Sequence, residues 1–594
     1  MKPTTEILDR IARNSRNNKE EIFTRLYRYM LRPDLYYLAY NRLYRNKGAA
    51  TKGVDNDTAD GFSEEKINKI IQSLADETYM PKPARREYIP KKRSTKKRPL
   101  GLPVFTDKLV QEVLRRILEA IYEPIFSNCS HGFRPGRDCH TALKSIKMEF
   151  PGVSWFIEGD IKDCFDNIDH HVLIDIIGSK IKDARLIQLI WKFLKAGYME
   201  DWKYHSTYSG CPQGGIVSPL LANIYLNELD RFAQKTADEF FKPRDRVRTP
   251  EYAHIAAKKD YALKLLKTAT GQKKSELLKK VKFLKSELRK TPCTSKTDKV
   301  MKYIRYADDF IIGVKGDRTD CERIKRQFSE FIRDKLKMEL SEEKTLITHS
   351  NQYARFLGYD VRVRRDQKVK TDGRCLKRTL NGSVELNVPF EDKIMPILFE
   401  KSVIRQTHDG EIEYIARKYL YRCTDLEILD TYNSELRGIC NYYSIASNFS
   451  GLKYFAYLME YSCLKTLAGK HKSTSKKMRD QFHVAGGWGI PYETAKGRRF
   501  RTFTKYSECK DSGNFNDAVV AYSVRHASNT TTLEKRLSAK TCELCGKTNV
   551  PLEIHHVNKV KNLKGKEQWE IVMIAKKRKT LAVCKDCHHK IHHP

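Results

Sequence analysis

The chain has 594 residues, 40% of them hydrophobic, which is enough apolar surface to fill several domain cores and excludes a disordered polymer. Its 112 Lys+Arg outweigh 74 Asp+Glu and leave a formal charge of +38, an excess that calls for a polyanionic partner, for which nucleic acid is the best fit. No apolar run approaches the ~20 residues that cross a bilayer, and Met1–Arg10 lacks the apolar core of a secretory signal, so the expected setting is cytoplasmic with no membrane partner.

Residues 1–80 read as helical, with Ile22, Leu26, Tyr29 and Met30 near helical spacing. Between Ala84 and Pro103 the cations crowd around Ser94-Thr95, the expected tip of a hairpin suited to gripping phosphates, although a solvated basic loop has the same composition. Behind Thr106-Asp107, the residues Val110, Val113, Leu114, Ile117, Leu118 and Ile121 predict a helix with one buried face. The stretch His131-Gly132-Phe133-Arg134-Pro135 follows, then the apolar segment Trp155–Gly159, which ends at Asp160, with Phe165 five residues beyond. In Gly210-Cys211-Pro212-Gln213-Gly214-Gly215 the glycines allow a ligand close to the backbone, and Gln213 can donate to a phosphate or base. Lys242–Lys290 carries 16 Lys+Arg against 5 Asp+Glu, and Leu277, Val281, Leu284 and Leu288 predict a basic amphipathic helix pair, either an RNA contact or a solvated face.

Tyr306-Ala307-Asp308-Asp309 lies between two β-prone runs and reads as a hairpin with two carboxylates at its turn. Adjacent acids on a strand face opposite ways, but at a tight turn both can converge on a cation, magnesium being the natural choice. With Asp160 beside them they would form a two-metal phosphoryl-transfer centre. An ordinary polar turn is the commoner fate of paired aspartates.

The order of these blocks decides between the two. Asp160 with Phe165, Pro212-Gln213-Gly214, Tyr306–Asp309, Lys344 within Ser341–Thr345, and Phe356-Leu357-Gly358-Tyr359 together resemble the block series of a reverse transcriptase. Arg98-Pro99-Leu100-Gly101, His131–Pro135 and Gly210–Gly215 resemble the group II intron type in particular, and the resemblance extends across essentially the whole chain. It implies Asp160, Asp308 and Asp309 as magnesium ligands, Phe165 as the side chain that excludes a ribose 2′-hydroxyl, and Gln213 as a contact to the incoming nucleotide. Lys91, Arg98 and Lys344 would be cations near its triphosphate, with a plain surface role for Lys344 still open. Pro389 to about Leu467, with Leu436–Tyr443, resembles the family's thumb or maturase domain. Its Tyr442, Tyr443, Tyr454, Phe455 and Tyr457 are expected chiefly as helix packing, with base stacking as the alternative. Residues 468–540, where Arg498, Arg499 and Arg501 interleave with Phe500 and Phe503, match the DNA-binding segment of such proteins.

Of fifteen cysteines, eleven are scattered and read as reduced thiols. The pairs Cys542/Cys545 and Cys584/Cys587 can close a tetrahedral zinc site, since each two-residue gap lets both sulfurs face one ion. His555 and His556 stand inside the loop between the pairs, and His588 and His592 lie one helical turn apart beyond it. The set resembles an HNH nuclease finger, which implies His556 as general base and His555, His588 and His592 as ligands of a catalytic divalent cation. The choice among His588, His589, His592 and His593 stays open, as does the residue that orients the base, because no asparagine precedes the second cysteine pair in Lys579–Val583.

The expected fold is multidomain α+β: a right-hand fingers and palm polymerase, a helical thumb, and a small zinc-containing ββα-metal HNH domain. The expected divisions are residues 1–80 (N-terminal extension), 81–388 (fingers and palm, with the basic insertion near 235–298), 389–467 (thumb), 468–540 (DNA binding) and 541–594 (HNH). The expected protein is an RNA-directed DNA polymerase, a maturase for intron RNA splicing and a DNA endonuclease serving intron mobility. Its expected partners are group II intron RNA, target DNA and deoxynucleoside triphosphates, with monomer and homodimer equally open. A cellular reverse transcriptase would not need the C-terminal segments, and a non-catalytic splicing factor would not need the three carboxylates.

Overall fold

The computed structural model describes residues 3–593 apart from 91–96, 201–202, 208, 211–213, 244–247, 292, 294–297, 366–368, 373–374, 379–380, 495–496 and 511–531. Lys91, Ser94-Thr95, Cys211, Pro212 and Gln213 therefore lie outside the described residues.

A four-stranded antiparallel sheet carries the carboxylates, in the order Val300–Tyr306, Asp309–Lys315, Trp155–Asp160, Ile347–His349. Its strands read as continuous apolar runs because both faces are covered. Phe310, Ile312 and Val314 point into one core with the helices Phe105–Tyr122, Ser218–Phe240 and Arg318–Asp334. Ile304, Ile311 and Phe156 point the other way, into a second core shared with Cys139–Glu149 and the helices beyond residue 390. The two-residue alternation along each strand thus joins the two halves of the molecule through one sheet.

The expected hairpin forms from Ala84–Pro90 and Lys97–Leu102, and Tyr198–Glu200 and Lys203–His205 extend it into a second four-stranded sheet. The helix Phe105–Tyr122 buries the predicted stripe. Asp107 does not cap it, however; its carboxylate accepts from the Tyr79 hydroxyl and from the Lys82 N–H. The basic insertion is a helix pair, Pro250–Leu266 and Gly271–Lys290, closed over Ala262, Val281 and Leu284.

The helical reading of residues 22–30 holds only for the 3-10 turn Tyr27–Tyr29 and is overturned before it. Helices span Thr4–Asn17, Pro33–Leu43 and Glu64–Ala75, but Ile22 is 56% exposed and the chain around it is extended. A distant backbone partner wins: Phe23 N–H donates to Lys180 O at 2.9 Å, Lys182 N–H returns the bond at 2.8 Å, and Tyr27 N–H donates to the Asp183 carboxylate. Those groups cannot also serve an intrahelical ladder.

Asp425–Tyr442 and Leu452–Lys470 form the long helices of the second core. Tyr443 and Phe455 pack there as expected, whereas Tyr454 and Tyr457 are 45% and 44% exposed and stack on one another along the helix face. The hairpin Gly487–Thr494/Gly497–Thr502 buries Trp488 and Ile490 in the same core, and Asn433 bonds both Thr502 O and Thr504 N–H. Packing therefore continues past the composition shift at residue 468. On the far strand Arg498, Arg499, Phe500 and Arg501 all face outward.

The C-terminal unit is a hairpin, Leu552–His556 with Thr580–Cys584, followed by the helix Lys585–His592, with Gln568–Ala575 inserted between the strands. A third strand comes from the other end of the chain: Phe62–Ser63 pairs antiparallel with Leu552–His556. Among the described residues no helix is long and apolar enough to cross a membrane.

Candidate active sites

Register brings the polymerase carboxylates together. Tyr306 pairs with Asp309 across a two-residue turn, Ala307-Asp308, and Asp309 sits directly opposite Asp160 on the neighbouring strand. Ala307 holds φ +57°, a left-handed conformation that a side chain adopts only when its surroundings impose it. Those surroundings are dense. Arg305, fully buried, donates to both oxygens of the equally buried Asp230 at 2.7 and 2.6 Å, to Ala307 O at 2.8 Å, and to Ser130 and Asn223. His131 N–H donates to Arg305 O at 2.9 Å, and Asn223 donates to Gly132 O. A Cβ on Gly132 would lie 2.4 Å from Ala307 N, so only glycine lets that loop close on the turn.

The three acids crowd one another. Burial, the hydrogen bond with Asp160 and the like charges of Asp308 and Asp160 push the Asp309 carboxyl up to about 7. Burial and Asp160 also raise Asp308, against the pull of Lys344 and Arg98. Lys344 reaches Asp160 at 2.7 Å because its loop is tied to that strand by the bond from Ser341 N–H to Asp160 O. An all-oxygen donor set with more negative charge than its neighbours balance fits a hard divalent cation. The site opens on a cleft of about 1190 Å³ lined by Arg98, Phe165, Asp160, Asp308, Asp309 and Lys344. Phe165 stands at its wall with its ring edge-on to Phe133, 6.0 Å between centroids.

At the C-terminus the sulfurs of Cys542, Cys545, Cys584 and Cys587 lie within 4.8 Å of one another. Burial raises the Cys542 thiol, but N–H groups of Cys545 and Cys584 outweigh it and hold it at about 7, whereas burial and the neighbouring thiols push Cys584 and Cys587 up. Four sulfurs at this spacing fit zinc. A second cluster gathers His555, His588 and His592 with Asp60. The buried His555 has no partner at Nε2 and at Nδ1 only the Asp60 carboxylate 3.2 Å away in poor alignment, a state that a cation would relieve. His589 and His593 are not in this cluster; their rings pair with each other. His556 is buried beside it, its Nε2 3.1 Å from Tyr44 O.

Three family models match the chain: reverse transcriptase (RNA-dependent DNA polymerase) over residues 89–253, type II intron maturase over 381–541, and AI2M/AI1M-like HNH endonuclease over 542–588. The group II intron-encoded protein LtrA of Lactococcus lactis subsp. cremoris is 60% identical over 596 aligned residues, 100% of both chains. The chain belongs to the group II intron-encoded proteins. An uncharacterized 91 kDa protein in the cob intron of Schizosaccharomyces pombe is 36% identical, covering 98% of this chain and 72% of its own. The putative COX1/OXI3 intron 2 protein of Saccharomyces cerevisiae is 32% identical, over 98% and 68%. This group II intron-encoded protein is thus multifunctional: a reverse transcriptase, a maturase and an HNH endonuclease.

Two positions in this intron-encoded protein escaped the sequence reading. Arg305 carries a signal, a cation beside Ile304 in a strand whose other cation, Lys302, is exposed; a buried cation there demands a buried partner. Asp60 carries none.

Proposed function

We propose that Asp160, Asp308 and Asp309 hold two magnesium ions and that this centre copies intron RNA into DNA. The observation that carries the proposal is the register that sets Asp309 against Asp160 with Asp308 on the adjoining turn. Bound there, the ions would activate a primer 3′-hydroxyl and stabilise the departing pyrophosphate. The chain's own residues do the rest: Arg98 and Lys344 face the cleft where a triphosphate would lie, and Phe165, braced by Phe133, fills the space a 2′-hydroxyl would need. Lys91 and Gln213 belong to the same proposed nucleotide site through motif resemblance alone. The two sheets are the fingers and palm of a right-hand polymerase and the helices beyond residue 390 are its thumb.

The +38 charge, the basic helix pair and the exposed Tyr454 and Tyr457 suit intron RNA as the bound partner, and the outward arginines of the 497–502 strand suit DNA. Zinc held by the four cysteines shapes the finger, a divalent cation sits among His555, His588 and His592, and His556 activates water to nick the target. The new 3′-hydroxyl then primes synthesis on intron RNA, in the cytoplasm. Asp308→Ala removes a ligand and should abolish primer extension while intron splicing, which needs only binding, persists. Extension at the wild-type rate in that variant would refute the assignment.

A further inference from the structure

The nuclease histidines are touched by a residue from the polymerase half. Asp60 Oδ2 lies 3.1 Å from His588 Nε2 and 2.8 Å from His592 Nε2, and Oδ1 lies 3.2 Å from His555 Nδ1 while accepting the His556 N–H at 2.7 Å. One ligand atom from each of the four residues lies within 4.8 Å of the others, so the carboxylate stands where it would be a fourth ligand to a cation held by the three histidines.

We propose that Asp60 is a removable fourth ligand that closes the nuclease cation site, holding the finger shut until DNA displaces it. A catalytic metal centre keeps one position open for water or substrate, and on a four-coordinate ion three imidazoles and a carboxylate would leave none. A phosphate brings the same chemistry as Asp60, an anionic oxygen, and competes for the same vertex. The base is held in one tautomer: a carbonyl can only accept, so His556 Nε2, bonded to Tyr44 O, carries the proton and the lone pair stays on Nδ1.

The contact is what DNA would have to displace. Beside the Asp60 and Tyr44 bonds to the histidines it includes the Phe62↔Ile554 and Ser63↔Glu553 pairs, a bond from Gly61 N–H to Ile554 O, the exposed ion pair Glu65–Lys585, and apolar packing of Phe62 with Ile554 and Leu533. Phe62 keeps its own partner when the finger leaves, since its ring stacks on Tyr40 at 3.9 Å. Withdrawing the strand uncovers the histidines and parts Phe62 from Ile554, with which it shares a buried core, while the Tyr40 stack stays in place.

The proposal rests on the histidine cluster being the nuclease site, and the two can fail separately. Protein bound to intron RNA is given a target duplex labelled on each strand. Asp60→Ala should nick faster, on the order of tenfold if the shut state outweighs the open one by that ratio. Lys585→Glu should also nick faster, and Glu65→Lys with Lys585→Glu should return to the wild-type rate. A readout independent of activity is amide hydrogen exchange: an uncleavable target duplex should speed exchange at Gly61 and His556 in the wild-type protein. Asp60→Ala nicking no faster than wild type, in protein that still extends a primer, overturns the proposal, as does exchange unchanged by DNA. Normal nicking by His556→Ala would instead overturn the assignment of the nuclease site itself.

Discussion

Arg305 and Asp230 offer a way to separate folding from positioning in the polymerase centre. Both side chains are 0% exposed and face each other through two bonds. Arg305→Leu leaves Asp230 buried without a partner, which should cost about 3–5 kcal/mol, and Asp230→Leu should cost as much by stranding the guanidinium. Replacing both by leucine removes the charges together, so stability should recover except for ~1–3 kcal/mol for each of the acceptors that Arg305 held, the Ala307 carbonyl, Asn223 and Ser130. Activity should not recover. Without that donor the left-handed turn at Ala307 relaxes, and a displacement of about 1 Å at Asp308 and Asp309 should slow extension ~100-fold. Urea denaturation gives the stability of the three variants and single-turnover primer extension gives their rates. A double variant that extends at the wild-type rate would refute the role given to Arg305.

Three further outcomes follow from the same geometry. The Asp309 carboxyl, raised from 3.8 to about 7, is neutral in folded and unfolded chains below pH 3.8, while between these values only the unfolded chain ionises. Metal-free stability should therefore fall as pH rises through that window, by at most about 4 kcal/mol, and calorimetry should find magnesium binding coupled to proton release near pH 6. Phe165→Ala should relax discrimination against ribonucleotides, read as the ratio of deoxy- to ribonucleotide incorporation, with an unchanged ratio reducing Phe165 to a packing residue. Cys584→Ser should lose one zinc per chain by metal analysis and expose the finger to protease, while extension on an artificial primer-template continues.

What the sequence disclosed, and what it hid, divides along the distance over which each feature is determined. The Tyr306–Asp309 hairpin was legible because two alternating runs and their turn lie within about 15 residues of chain. The buried face of Phe105–Tyr122 and the helix pair of the basic insertion were legible for the same reason. The Ile22–Met30 spacing misled because its outcome depends on Lys180 and Asp183, far along the chain, which claim the backbone first. The meeting of Asp160 with Asp309 followed from the order of motifs, not from either segment alone. His131–Pro135 was recognisable as a signature, but its work, closing Gly132 against the catalytic turn, needs the fold. Asp60 lies 496 residues from the His556 N–H it accepts, and an aspartate before a glycine in a polar loop announces only a turn.

The central claim is that one chain carries two chemically separate centres, and that one makes the primer the other extends. The measurement that tests it gives the RNA-bound protein either an intact duplex target or the same duplex already nicked, with each strand labelled, and follows cleavage and DNA synthesis together. His556→Ala should be inert on the intact duplex and synthesise DNA on the nicked one, whereas Asp308→Ala should nick the intact duplex and synthesise on neither. Synthesis by His556→Ala on intact duplex, or its failure on the nicked one, would contradict the account.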